Sequence, residues 1–145
     1  MTSPAELETS ERYMQTARRW FTQGWAGDLA MADEIFSGDL RTNGVYVGVA
    51  GPVGRIRDRL TGFPDVTTNI QDMFVSGSKL AVMLIWRGTH TGPYGGVPAT
   101  GKHVEVRDAA IWHFTDGKVT EIMTVQDQFA VLKQIGYLPD SVQAA

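Results

Sequence analysis

Two aspartates, Asp108 and Asp127, carry the clearest signal for chemistry in this chain of 145 residues. Both lie in a stretch that reads as a hairpin, residues 103–114 and 118–127, joined by Asp116-Gly117. Asp-Gly is a favoured two-residue turn because both central residues take positive φ. Such a turn pairs Thr115 with Lys118, and counting back sets Asp108 opposite Val125 and Asp127 opposite Val106. Strand alternation then gathers Val104, Val106, Asp108, Ala110, Trp112 and Phe114 on one face. On the partner strand that face receives Val119, Glu121, Met123, Val125 and Asp127, while Thr120, Ile122, Thr124 and Gln126 point outward. The first face is the apolar one and must look inward. It sets the two aspartates at diagonal positions, about 7–8 Å apart between backbones.

A carboxylate on such a face costs several kcal/mol if it stays ionised and unpaired. A raised pKa relieves that cost and also makes a general acid or base that works near neutrality. Each residue has a structural alternative. Asp127 directly precedes Gln128-Phe129 and is a favoured type of helix cap. Asp108 could be half of a buried ion pair with an arginine. Glu121, nearer the turn, belongs at the rim.

The remaining candidates carry weaker signals. His90, His103 and His113 have no local metal-ligand spacing, and with no cysteine in the chain no metal site is expected. His90 shares strand parity with Leu84 and Trp86 and borders a glycine-rich segment, which suits either a pocket mouth or a satisfied strand-end histidine. Gly48-Val49-Ala50-Gly51-Pro52-Val53-Gly54 lacks the dinucleotide spacing, and no phosphate loop is present. Trp20, Trp25, Phe74, Trp86 and Trp112 are core residues by type, and the same set would build an aromatic pocket for a flat ligand. Arg55, Arg57 and Arg59 read as a solvated helix face.

These residues need elements to position them. Ser3-Pro4-Ala5-Glu6 has the form of a capping box, and Tyr13, Ala17, Trp20 and Phe21 continue as the stripe of an amphipathic helix ending near 24–27. A second helix is expected over 29–36, a strand over 43–47, and a third helix from Gly51-Pro52 to Gly62. Strands follow at 68–75, 79–90, 103–114 and 118–127, with Gly92–Pro98 as a mobile loop and a last short helix over 129–136. Helices first and a strand meander afterwards define an α+β fold with segregated layers, as one domain spanning 1–145. The hydrophobic fraction of 43% and charged fraction of 20% suit a globular core. A net charge of −3 argues against nucleic acid as partner, and no apolar run suits a membrane span. The start lacks the features of a secretory signal and cysteine is absent, so a cytoplasmic location is expected.

Four stretches together resemble a known family: Gly88-Thr89-His90-Thr91-Gly92, Val97-Pro98-Ala99-Thr100-Gly101-Lys102, residues 111–121 with Trp112-His113-Phe114-Thr115-Asp116-Gly117-Lys118, and residues 127–139 from Asp127-Gln128-Phe129 to Leu138-Pro139. They are similar to the SnoaL-like polyketide cyclase or ester cyclase family, in the nuclear transport factor two-like superfamily. Trp25-Ala26-Gly27-Asp28-Leu29 and Phe36-Ser37-Gly38-Asp39-Leu40 extend the likeness collinearly towards the N-terminus. The resemblance implies a cone-shaped, curved antiparallel sheet with N-terminal helices enclosing a pocket, and homodimerisation through the sheet. It implies cofactor-free intramolecular aldol ring closure, with Asp127 at the acid–base position and Asn43 as a polar pocket residue. A pocket histidine of some members falls at Ala110, and Asp108 on the same face is the candidate to replace it. The expectation is therefore a cofactor-independent acid–base enzyme for a small apolar carbonyl compound. Asp127 and Asp108 would be catalytic, with Asn43, His90, Trp20, Trp86, Trp112 and Met123 binding substrate. Two alternatives stand beside it: a cofactor-free hydroxylase, isomerase or epoxide hydrolase on the same cone, and a non-catalytic ligand-binding or dimerisation module.

Overall fold

Ser3 opens the first helix as expected: its Oγ accepts from Glu6 N–H at 3.2 Å, and Glu6 Oε2 accepts from Ser3 N–H at 2.8 Å. The computed structural model describes residues 2–138, so Pro139, the last residue of the family-like stretch, lies outside them. Helix α1 runs over Pro4–Arg19 and widens into a π turn, Trp20–Gly24, closed by Trp25 N–H on Trp20 O at 2.9 Å. The extra residue in that turn brings Trp20, Phe21 and Trp25 to one side. Only glycine fits at 24, since a Cβ there would meet Trp20 Cε3 at 2.5 Å.

The second expected helix is shorter than the sequence suggested. A 3₁₀ turn, Leu29–Met31, and α2, Ala32–Ile35, give way at Phe36, whose φ of −100° and ψ of 140° are extended. Phe36 starts an unanticipated strand, β1 (Phe36–Thr42). The expected strand over 43–47 is in fact a tight hairpin. Asn43 and Gly44 both have positive φ, the signature of an Asn-Gly turn, and only Val45–Tyr46 form β2. Helix α3 covers Ala50–Gly62. Strands β3 (Thr67–Ser76), β4 (Lys79–Thr89), β5 (His103–Thr115) and β6 (Lys118–Gln126) fall close to their expected bounds, followed by α4 (Gln128–Gln134).

The six strands form one curved, unclosed sheet in the order β2-β1-β6-β5-β4-β3. It is antiparallel except where β1 runs parallel to β6. Its inner face carries the core: Leu80, Leu84, Trp86, Val106, Trp112 and Phe114 pack beneath α1, the π turn and Phe36. Trp112 anchors an aromatic cluster with Phe21 at 5.1 Å and Phe36 at 5.4 Å between ring centres.

The hairpin departs from its expected register at one place. Thr115 pairs with Lys118 and Phe114 with Val119, but the next pair is His113 with Glu121. Thr120 is the extra residue of a β-bulge, its Oγ1 donating to His113 O at 3.3 Å. A one-residue slip exchanges the faces of everything beyond it. Asp108 consequently pairs with Gln126, and Ile122, Thr124 and Gln126 turn inward. Met123, Val125 and Asp127 leave the inner face; Met123 is 64% exposed and Val125 74%.

The glycine-rich segment after β4 is packed against the end of α3. Thr91 and Gly92 N–H both donate to Gly62 O, at 3.0 and 3.2 Å, and Tyr94 stacks edge-on against Phe63. Among the described residues no helix is long and apolar enough to cross a membrane.

Candidate active site

Asp108 is on the inner face of β5, where alternation placed it, and is 4% exposed. The bulge brings Thr124 beside it, with Thr124 Oγ1 3.3 Å from Asp108 Oδ1. Helix α3 supplies two arginines one turn apart. Arg55 Nη2 is 3.3 Å from Asp108 Oδ2, and Arg59 Nη2 is 3.8 Å from the same oxygen. The expected solvated face of α3 is therefore corrected for both: Arg59 follows Pro52 and Ile56 along the buried stripe and is itself 2% exposed. Its guanidinium stacks 3.9 Å over the Trp25 ring, with Trp86 5.0 Å away on its other contact.

Gln126, also turned inward by the bulge, fixes this arrangement. Its Oε1 accepts from Arg59 Nη2 at 3.2 Å and from Trp86 Nε1 at 3.3 Å. Its Nε2 donates to Tyr94 Oη at 3.2 Å and Gln128 Oε1 at 2.7 Å. All four hydrogen-bonding positions of the amide are occupied.

Of this cluster, Arg55, Asp108 and Thr124 line a cavity of about 140 Å³ between the sheet and the helices. Trp20, Phe21, Trp25, Ile56 and Trp112 wall it; Asp108, Ala110 and Thr124 lie at its base, with Arg55 beside them. Ala110 occupies the position at which the family likeness implies a histidine in some members. Burial pushes the Asp108 carboxyl above the ordinary carboxylate range, against the opposing pull of Arg55, Arg59 and the Thr124 hydroxyl. Burial, with help from Arg55, lowers Arg59 to about 10, opposed by Asp108 and Tyr94. That leaves Arg59 cationic at neutral pH.

Of the residues singled out in the sequence as catalytic or pocket-forming, Asp108, Trp20, Trp25 and Trp112 meet in this cavity. Trp86 lies beneath it as a support for Arg59 and Gln126. Asp127 does not reach it: the bulge and the end of β6 leave it exposed as the N-cap of α4, accepting from Ala130 N–H at 3.0 Å. Met123 lies on the opposite face of the sheet, for the same register reason. Asn43 sits at the sheet edge, where its Oδ1 accepts from Thr124 N–H at 2.9 Å and its Nδ2 donates to Thr124 O at 3.2 Å. It continues the β1 pairing with a side chain and holds Thr124 from behind. His90 is fully buried against Phe63, its Nδ1 3.3 Å from the Thr100 N–H and 3.0 Å from the Thr100 hydroxyl. It is a core histidine that ties the glycine-rich segment to β4.

Sequence reasoning missed Arg55, Arg59, Thr124 and Gln126. Arg59 had a signal, since it shares the helical spacing of a buried stripe with Pro52 and Ile56; Arg55 lies off that stripe. For the strand residues the signal was the three-residue step from Val119 to Ile122, which breaks strict alternation.

N-terminal helices over a curved, unclosed six-stranded sheet match the nuclear transport factor two-like fold. The sequence model of the SnoaL-like polyketide cyclase family matches residues 15–135, and the chain belongs to that family. Solved structures agree. A proposed SnoaL-like polyketide cyclase from Jannaschia sp. CCS1 superposes with a TM-score of 0.82 at 25% identity, covering 96% of this chain and 99% of that one. IdmH, a proposed polyketide cyclase from Streptomyces antibioticus, gives 0.74 at 26% identity, with 85% and 97% covered. AclR, a proposed hydroxylase from Streptomyces galilaeus, gives 0.76 at 25% identity, with 92% and 84% covered. A comparison with curated protein sequences returns no significant match.

Proposed function

We propose that the protein is a cofactor-independent acid–base enzyme that closes a ring in a small apolar carbonyl compound by intramolecular aldol condensation. Asp108 is the group that moves the proton. The observation that carries this reading is one buried carboxyl, raised in pKa, at the base of a cavity with aromatic walls. The Asp108 carboxylate takes a proton from the carbon next to a carbonyl, leaving an enolate whose oxygen faces the Arg55 guanidinium. The enolate carbon attacks a second carbonyl of the same molecule, and the new alkoxide recovers the proton from Asp108. A positioned acid–base group accounts for about 10²–10⁴-fold. Orientation by the aromatic walls and stabilisation of the oxyanion by the arginine supply the remainder.

The decisive measurement is turnover of Asp108→Asn on a substrate the native protein converts. Turnover should fall by at least about 10²-fold with little change in affinity. Turnover within a few-fold of the native rate in that variant eliminates the mechanism.

The likeness to AclR favours one second reading, cofactor-free hydroxylation at the same carbanion-forming site. Labelled dioxygen separates the two, because ring closure by aldol chemistry incorporates none. We take the working assembly to be a homodimer packed through the outer sheet face. There Phe74, Met83, Ile111, Met123 and Val125 are all exposed around a groove of about 400 Å³. Ile122, expected in that outer row, is buried on the inner side by the register slip, and Met123 and Val125 take its place. A cysteine-free chain suits the reducing cytoplasm as its place of work.

A further inference from the structure

Two guanidiniums converge on the one carboxyl group at the cavity. Of the residues lining the cavity, Arg55 and Asp108 are the ionisable ones, and the second guanidinium, Arg59, stands 3.8 Å from the same carboxyl oxygen that Arg55 contacts. One carboxylate thus serves two guanidiniums. Nor are Arg59's donors used up. Its Nη2 is engaged by Gln126, but Nε and both hydrogens of Nη1 have no hydrogen-bond partner, although the side chain is almost wholly buried. Stacking on Trp25 occupies the guanidinium face and leaves those in-plane donors free. A buried, unpartnered donor set on a permanent cation is the complement of an anion.

A second space adjoins this one. A cleft of about 480 Å³ lies between α3 and the glycine-rich segment, lined by Arg55, Arg59, Thr61, Tyr94 and Gln128, with the exposed Asp58 at its side. Arg55 lines both the cleft and the apolar cavity. The cavity alone is smaller than the roughly 300 Å³ at which ligand pockets usually begin. A ligand that fills it has room for little beyond an aromatic ring or two, and the rest must emerge past Arg55.

We propose that the junction of cavity and cleft, at Arg55 and Arg59, is a carboxylate subsite, so that the substrate is a cyclic or aromatic carbonyl compound bearing a free carboxylate rather than a neutral one. The proposal rests on the acid–base reading of the same cavity and adds the charge of the substrate to it. The apolar part of the ligand sits against Trp20, Phe21 and Trp112. Its carboxylate accepts from the two guanidiniums and completes the charge balance that Asp108 leaves short. The competing explanation is that Arg59 is only a structural cation stacked between two indoles, in which case the site has no preference for anions.

Binding of 2-naphthoate and of the isosteric neutral 2-naphthamide to the full chain, measured by titration calorimetry at neutral pH, decides between them. The acid should bind about tenfold more tightly than the amide in the native protein. Arg55→Gln should remove that preference while leaving the amide within about twofold, since the amide makes no charged contact. Asp108→Asn should tighten the acid, because the competing internal anion is gone. Arg59→Lys, which keeps the charge but not the planar donor fork, should weaken the acid selectively and serves where Arg59→Gln fails to fold. Equal affinities for acid and amide in the native protein, including no detectable binding of either at millimolar concentration, overturn the subsite. So does an acid preference that survives Arg55→Gln. None of these readouts involves turnover, so failure of the subsite is separable from failure of the acid–base mechanism.

Discussion

Asp108→Asn should leave the protein as stable as the native form at neutral pH, or make it more stable, although it removes half of two ion pairs. At an effective dielectric constant of about 20, charges 3.3 and 3.8 Å apart attract by about 5 and about 4 kcal/mol. Against this stands the removal of a carboxylate and the Arg59 guanidinium from water, several kcal/mol for each ion. The attraction to Arg55 is weakened further by solvent, since 38% of that side chain is exposed. The raised pKa of Asp108 gives the sign of the sum: burial outweighs both arginines. Two opposing quantities of similar size leave a gain on the order of 1 kcal/mol for the neutral isostere, or about 3–4 °C in melting temperature for a chain of this length. The pH dependence follows from the same direction. An unfolded aspartate titrates near 3.9, and the folded one above it. The contribution of this carboxyl to stability is complete below the unfolded value and is lost as pH rises through the folded one. The advantage of Asp108→Asn should therefore be present at pH 7 and vanish below about pH 4, where both side chains are neutral. Urea denaturation of the two proteins across that range is the assay. Destabilisation of Asp108→Asn by more than about 1 kcal/mol at pH 7 would refute the argument. It would mean that the arginines hold Asp108 as an ordinary ionised partner, poorly suited to moving protons.

Three further outcomes are expected. Asp127→Ala should cost about 1 kcal/mol through loss of the α4 cap, and Asp127→Asn only a few tenths; both should turn substrate over at the native rate, and a tenfold loss in Asp127→Asn would return the acid–base role to that residue. Gly92→Ala should destabilise by about 1–3 kcal/mol, because a Cβ there overlaps the Thr61 carbonyl oxygen at the end of α3; an unchanged denaturation midpoint would show that the glycine-rich segment yields freely. Met123→Asp should convert the dimer to monomer in sedimentation without lowering the yield of folded protein, since the side chain faces away from the core; a native protein already monomeric at about tens of micromolar disposes of the dimer.

The fold was legible where the sequence is periodic. The capping box at Ser3, the Asp116-Gly117 turn and four long strands rich in Val, Ile, Trp and Thr specify themselves locally, and the structure places them close to their expected bounds. β1 was not legible, because Ser37-Gly38-Asp39 lacks strand propensity and the strand exists by pairing with β6, far away in the chain. Asn43-Gly44 shows the cost of reading a turn signal as strand. Half the site was legible too. Asp108 follows from alternation counted from a turn only a few residues away on its own strand. Thr124 and Gln126 lie beyond the bulge, where the same count fails by one. Arg59 could have been read from its helical spacing with Pro52 and Ile56, but Arg55 lies off that stripe, and only its tertiary contact with Asp108 distinguishes it from a solvated residue.

Thr120 has a consequence for how related sequences are compared. Were Thr120 kept but paired regularly with His113, Met123 and Val125 would turn to the inner face and Ile122, Thr124 and Gln126 would turn outward, whereas deleting Thr120 would remove the bulge and leave every later pair as it is. The contents of the cavity are thus set by register as much as by residue types. An alignment that matches this strand column by column with a relative lacking the extra residue would equate a lining position here with an exterior position there. Transfer of residue roles along β6 therefore has to be indexed from its far end, at the pairing of Asp108 with Gln126, and not from the hairpin turn.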